Sequence, residues 1–202
     1  MKLKTNLIAW VQQLPDHEKR LTFSTALTIG RMALIPVLIA TIVAQWWISS
    51  MVLLAIAAIT DVLDGFLARL FNEQTLLGAL LDPLADKLCT IGSFSALAYI
   101  QRIPSWFFVL ALIKEVLQII GAGSFVYRFH ESVKIQATVL GKAAMVGQTI
   151  LISWVLYSEL FSLLPNLIEY WLLFCVSILM ISSLFYYAYI GLQYYLWGPQ
   201  YE

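Results

Sequence analysis

The chain has 202 residues, 61 % of them hydrophobic and 12 % charged, with a formal net charge of zero. That balance lies far from the soluble norm and reads as one polytopic membrane domain over 1–202. It offers no basic surface for a polyanion, so no nucleic-acid partner is expected.

Residues 1–20 hold Lys2, Lys4, Lys19 and Arg20, while Leu3, Leu7, Ile8, Trp10, Val11 and Leu14 recur at roughly helical spacing. This predicts a short juxtamembrane helix on the bilayer surface, ended near Pro15, with a frayed tail as the alternative. Six apolar runs follow, each near the ~20 residues that cross a hydrocarbon core of about 30 Å. The first runs from about Thr25 to Trp47 and contains Arg31, which must snorkel or meet an acid. The second, about Ser49 to Leu70, has Asp61, Asp64 and Arg69 towards its far end, and 71–75 form a polar turn. The third, about Leu76 to Ile100, opens with Gly78, Asp82 and Asp86, with Lys87 as a neutralising neighbour and a kink expected at Pro83. The fourth follows Pro104, reaches about Arg128 and contains Lys114-Glu115. After the charged loop Arg128–Lys134, a fifth runs from about Ala137 to Ser158 with Lys142 near its start. The sixth, about Leu167 to Ile190, has Glu169 at its head and a Tyr/Trp-rich end suited to the interface. Cys89 and Cys175 lie in apolar runs without CxxC spacing and read as small packing hydrophobes.

The expected fold is therefore all-α and integral to the membrane: a bundle of six transmembrane helices with a short N-terminal interfacial helix. With six spans, Lys2, Lys4, Lys19, Arg20, Arg69, Arg128 and Lys134 share one side, and the opposite loops hold Arg102. The positive-inside rule then turns the acid-bearing ends to the cytoplasm, as in a bacterial inner membrane.

The acids are where chemistry is expected. Asp61 and Asp64 are three apart, and Gly78, Asp82 and Asp86 are each four apart, so each set lies along one helix face. Two helices meeting on those faces make one carboxylate-lined pocket. An ionised residue inside a span costs on the order of 2.5–3.5 kcal/mol, so four acids call for a cation. A divalent metal is the simplest, with pairing to Lys or Arg as the bland alternative. Two hard ions about 3.5–4 Å apart on shared carboxylates can clamp a phosphoryl group. Gly65, Ala68 and Gly78 leave room for helices or a phosphate to approach, and Arg69 offers a fork of donors to phosphate oxygens.

The pattern Asp61-x-x-Asp64-Gly65-x-x-Ala68-Arg69, eight residues, Gly78-x-x-x-Asp82-x-x-x-Asp86 resembles the signature of the CDP-alcohol phosphotransferase family at every position. The resemblance covers about 22–190 and is dense between 61 and 87. The family's upstream N-x-P-N-x-x-T-x-x-R stretch is met by Thr28 and Arg31, whereas Thr22 and Thr25 replace both asparagines and Ser24 the proline. A Thr hydroxyl or a backbone carbonyl would have to supply the oxygens lost there.

The resemblance implies a CDP-linked lipid donor, usually CDP-diacylglycerol, an alcohol acceptor, and two divalent cations, Mg²⁺ or Mn²⁺. It implies Asp61, Asp64, Asp82 and Asp86 as metal ligands, Asp86 also as general base, and Gly65, Ala68, Arg69 and Gly78 as the lining of the CDP site. Residue type alone does not separate ligand from base among four aspartates. Family members commonly form homodimers, an expectation that rests on the resemblance alone. Within the family the chain is most similar to bacterial phosphatidylglycerophosphate synthases, whose acceptor is sn-glycerol 3-phosphate. A dianionic acceptor needs cations, and Arg31, Lys114 and Lys142 are the candidates, with Arg128 and Lys134 in reserve. Those synthases commonly have Arg-Glu where Lys114-Glu115 stands and a second Arg where Ala122 stands, so this chain departs from them there; Ser132–Lys142 does match. An internal pair with a carboxylate is the other reading of Lys114. The rival acceptor is phosphatidylglycerol, as in a cardiolipin synthase. An ion transporter with buried acids is the rival from another class, and it predicts acids spread through the bilayer depth. Helical scaffolding is the third, and the cost of four buried acids opposes it.

Overall fold

The computed structural model describes residues 23–70, 76–129, 139–161 and 167–197, with side chains at 26–63, 81–121, 139–161 and 167–193. The expected interfacial helix of 1–20, the turn at 71–75 and most of the 128–137 loop lie outside these residues. All described elements are helices: α1 Phe23–Val43, α2 Trp47–Leu70, α3 Leu76–Tyr99, α4 Ser105–Phe129, α5 Val139–Leu160 and α6 Leu167–Trp197. Among the described residues, three stretches are long and apolar enough to cross a bilayer by length and composition: Ala26–Val43, Val139–Leu160 and Leu167–Gln193. The others contain acids or Lys114, which shortens their uninterrupted apolar run; Trp47–Leu63 is the apolar part of α2.

The end of α1 differs from the simple hydropathy boundary. The first apolar run reads on to Trp47, but α1 stops at Val43 and Trp47 already opens α2. Gln45 takes a left-handed conformation, φ 59°. Its N–H donates to Ile42 O at 3.0 Å, and the Trp46 N–H donates to Thr41 O at 2.9 Å. These are the paired bonds of a Schellman end, which satisfy carbonyls the helix would otherwise leave open. Helix α3 closes in the same way: Gln101 has φ 61° and donates to Ala98 O at 3.0 Å, while Arg102 N–H donates to Leu97 O at 2.9 Å. Pro104 then accepts the Phe107 N–H at 3.0 Å at the start of α4, where a missing proline N–H costs nothing. Both Pro36 and Pro83 lie within helices that continue on either side of them.

Hydroxyls inside the apolar helices bond their own backbone: Thr60 to Ile56 O at 2.9 Å, Ser153 to Thr149 O at 2.9 Å, Ser177 to Leu173 O at 2.7 Å. In lipid, where water cannot serve them, this is how a polar side chain stays in a span.

The chain divides into two compact units, one of residues up to Leu38 with Val52–Cys89, the other of Ile39–Met51 with the chain from Thr90 onward. In the first, Thr28, Arg31, Ile35 and Leu38 form a buried stripe at helical spacing along α1, and Leu54, Ala57 and Ala85 are buried from α2 and α3. In the second, α4 and α5 both pack on α6. Its core includes Leu97, Leu151, Val155, Leu156 and Met180, with Phe94 and Phe107 edge to face at 5.3 Å. Gly147 lets α5 approach α6 closely, because a Cβ there would lie 3.2 Å from Val176 Cγ2. Arg102 ties chain ends in the same unit: it pairs with Glu159, donates to Ser158 Oγ at 3.2 Å and lies 3.6 Å from Glu169 Oε2.

Candidate active site

Helix α1 is apolar apart from a few positions, and two of these face the protein interior one turn apart. Thr28 is fully buried and Arg31 is 2 % exposed. An arginine stays charged at any ordinary pH, so its burial demands carboxylates. It has two. Arg31 Nη1 donates to Asp61 Oδ1 on α2 at 2.5 Å and to Asp86 Oδ1 on α3 at 2.9 Å. One turn earlier, Thr28 Oγ1 donates to Asp82 Oδ1 on α3 at 2.6 Å. A single turn of α1 thus gathers Asp61, Asp82 and Asp86 from two other helices.

The local sequence explains the register. Thr28 and Arg31 are three apart, and Asp82 and Asp86 four apart, so each pair projects from one face of its helix. Asp61 is part-exposed and so are Asp82 and Asp86, as groups that meet a ligand must be. With every carboxylate ionised, three aspartates against one guanidinium leave this bonded set with two negative charges. All the acceptors are hard carboxylate oxygens, the donor type that suits Mg²⁺ or Mn²⁺ rather than a soft metal. Two of them already share one cationic nitrogen, so in donor chemistry they suit a divalent ion. Among the described residues, no three His, Cys, Asp or Glu side chains are grouped as a ready metal cage. The fourth aspartate, Asp64, lies outside the described side chains, as do Gly65, Ala68 and Arg69 on α2 and Gly78 on α3.

The two remaining basic candidates belong to the second unit. Lys114 is fully buried, and its Nζ donates to Glu115 Oε1 at 2.6 Å and to Gln148 Oε1 at 3.2 Å. Gln148 in turn donates to Met180 Sδ at 3.3 Å, and Gln118 to Ser183 Oγ at 3.4 Å, which extends the polar seam across α4, α5 and α6. Lys142 is exposed on α5. Sequence reasoning offers no role for Gln148 and none for the Thr28 hydroxyl. The available signal for Thr28 is its match, with Arg31 one turn on, to the upstream stretch of the family pattern.

Comparison with known proteins agrees with the acid pattern. Residues 21–190 match the family described as CDP-alcohol phosphatidyltransferase. The chain is 38 % identical over 99 residues to a CDP-diacylglycerol--glycerol-3-phosphate 3-phosphatidyltransferase of Aquifex aeolicus, covering 47 % of this chain and 54 % of that one. It is 30 % identical over 135 residues to a cardiolipin synthase (CMP-forming) of Streptomyces coelicolor, covering 63 % and 61 %. Against a CDP-diacylglycerol--glycerol-3-phosphate 3-phosphatidyltransferase of Salmonella choleraesuis it is 30 % identical over 139 residues, covering 66 % and 75 %. The matched part thus spans about half the length of the Aquifex relative and about three-fifths of the Streptomyces one.

Proposed function

The chain belongs to the CDP-alcohol phosphatidyltransferase family, and from that premise we propose that it transfers a phosphatidyl group from CDP-diacylglycerol to sn-glycerol 3-phosphate. The products are phosphatidylglycerophosphate and CMP. The observation that supports this reading most is the convergence of Asp61, Asp82 and Asp86 on Thr28 and Arg31. Two of the relatives above bear the name of that reaction.

In this reading the acceptor hydroxyl attacks the phosphorus that carries diacylglycerol, the bond from that phosphorus to CMP breaks, and CMP leaves with the electron pair. Asp86 receives the hydroxyl proton. Asp61, Asp64, Asp82 and Asp86 hold two divalent cations, Mg²⁺ or Mn²⁺, which when bound neutralise the diphosphate and stabilise the charge that develops on the leaving oxygen. Thr28 fixes Asp82, and before the ions bind Arg31 holds Asp61 and Asp86: each bond from α1 limits the rotamers a carboxylate samples, so the metals meet a preset array. Gly65, Ala68, Arg69 and Gly78 line the CDP site. Arg31, Lys114 and Lys142 are assigned to the acceptor phosphate; Lys114 reaches a substrate only by leaving Glu115 and Gln148.

All six helices cross the membrane in this proposal, after an N-terminal interfacial helix. The exposed faces of α2 and α4 support it. Ile48, Val52, Ile56, Ile59 and Val62 on α2, and Trp106, Val109, Ile113, Leu117 and Ile120 on α4, make apolar stripes suited to lipid. With the basic residues distributed as the sequence has them, the site faces the cytoplasm, in a bacterium across the inner membrane. A homodimer is part of the same proposal.

A second acceptor, phosphatidylglycerol, is favoured by the likeness to the Streptomyces cardiolipin synthase. Measuring CMP release from CDP-diacylglycerol with Mg²⁺ or Mn²⁺, and either glycerol 3-phosphate or phosphatidylglycerol as sole acceptor, separates the two. Release with glycerol 3-phosphate is expected. Release with phosphatidylglycerol alone makes the protein a cardiolipin synthase, and silence with every alcohol removes the transferase reading.

A further inference from the structure

Arg31 Nη1, on a side chain only 2 % exposed, stands between two more open carboxylates from different helices, Asp61 at 2.5 Å and Asp86 at 2.9 Å. One guanidinium joining two acids does part of the electrostatic work that a divalent ion between them would do. The two cations compete at Asp61 Oδ1 and Asp86 Oδ1, because a charge already seated on those oxygens repels a second. An Mg²⁺ ion needs its oxygen ligands at about 2.0–2.1 Å in near-octahedral order, and a guanidinium on the same lone pairs both blocks and repels it. Nor is there escape by deprotonation, because the guanidinium keeps its charge.

We infer that Arg31 is a built-in counter-cation that exchanges with a divalent metal at Asp61 and Asp86. This rests on the proposed reading of those acids as metal ligands. Without metal, Arg31 offsets one of the two negative charges on Asp61 and Asp86 and bonds α1 to both α2 and α3. On metal loading its guanidinium leaves both oxygens and becomes available to an anionic phosphate oxygen, so that metal uptake prepares the site for the diphosphate of the donor. Arg31 is then a positioning residue whose place depends on the metal.

The test is Mn²⁺ binding by the full-length protein in detergent, stripped with EDTA and titrated while free Mn²⁺ is followed by electron paramagnetic resonance. Thermal unfolding is read in EDTA and at saturating Mn²⁺. Arg31→Gln removes the competing charge and is expected to bind Mn²⁺ about tenfold more tightly, the worth of one charge-assisted hydrogen bond. It should unfold at lower temperature than wild type in EDTA and recover at saturating Mn²⁺. Arg31→Lys, with one compact charge, should fall between the two on both readouts, and it remains informative if Arg31→Gln does not fold. A folded Arg31→Gln or Arg31→Lys protein that binds Mn²⁺ as wild type does, or more weakly, overturns the exchange. Wild type that takes up no Mn²⁺, with Asp82→Asn indistinguishable from it, would instead remove the metal reading on which the exchange depends.

Discussion

Thr28 donates its hydroxyl proton to Asp82 at 2.6 Å, across 54 residues of chain and from a position with no solvent exposure. A neutral donor on a carboxylate orients it without cancelling its charge, which distinguishes this contact from that of Arg31 one turn later.

Thr28→Val keeps the shape of the side chain and deletes the donor. Losing one hydrogen bond to a charged group is expected to cost about 1.5–3 kcal/mol, and Asp82 becomes free to rotate. Metal-dependent CMP release should fall, with Thr28→Ser close to wild type, since the hydroxyl remains. Thermal unfolding and the release assay on both variants check this; equal behaviour of Thr28→Val and wild type in both would show that the contact matters to neither.

Asp82→Asn and Asp86→Asn are nearly isosteric, and each removes one of the negative charges left over beside Arg31. Both proteins should insert and fold, because fewer unmatched acids in a span are easier to tolerate. Asp82→Asn should abolish CMP release by weakening metal binding. Asp86→Asn should lower kcat by about 10²–10⁴, the usual contribution of a positioned base. Full activity of Asp82→Asn would be incompatible with a two-metal site.

The acids were legible because their spacing is local: intervals of three and four within a helix need no tertiary knowledge. Their partners were not. Arg31 signals that it needs an acid, but nothing in the chain between them says that it meets Asp61 and Asp86, 30 and 55 residues away. The same holds for Gln148 and Lys114, which meet through helix packing alone. The early end of α1 was hidden for another reason. Gln45 takes the left-handed conformation without the glycine that usually announces it, so the first apolar run reads on to Trp47. Helix α6 likewise extends to Trp197 where the apolar core of the run fades near Ile190, since its aromatic end remains helical.

Lys114→Met should be destabilising out of proportion to its size. It leaves Glu115, 3 % exposed, without the ammonium that balances it, and breaking a buried pair from one side costs about 3–5 kcal/mol. Lys114→Met combined with Glu115→Gln should regain most of that loss. The double variant also bears on the acceptor: an unchanged KM for glycerol 3-phosphate would make Lys114 a structural tie, and a KM raised tenfold or more in a stable protein would give it the acceptor phosphate. Lys142→Gln, at an exposed position, should raise that KM and leave the unfolding temperature in place.

Gly147 tests how closely α5 and α6 depend on each other. A Cβ there would sit 3.2 Å from Val176 Cγ2 and 3.6 Å from Leu179 Cδ1, both the ends of side chains rather than backbone. Gly147→Ala should therefore be tolerated within about 1 kcal/mol, because alanine favours the helix by a similar amount and Val176 needs to give only a few tenths of an ångström. Gly147→Leu has no such room. Pushing extra methylenes between packed helices costs about 1–3 kcal/mol, and the shift reaches Gln148, the next residue, and through it Lys114. The expected order of unfolding temperatures is wild type near Gly147→Ala, then Gly147→Leu. Restoration of Gly147→Leu by Val176→Ala would place the strain at that contact, whereas no restoration would move it elsewhere along the helix pair.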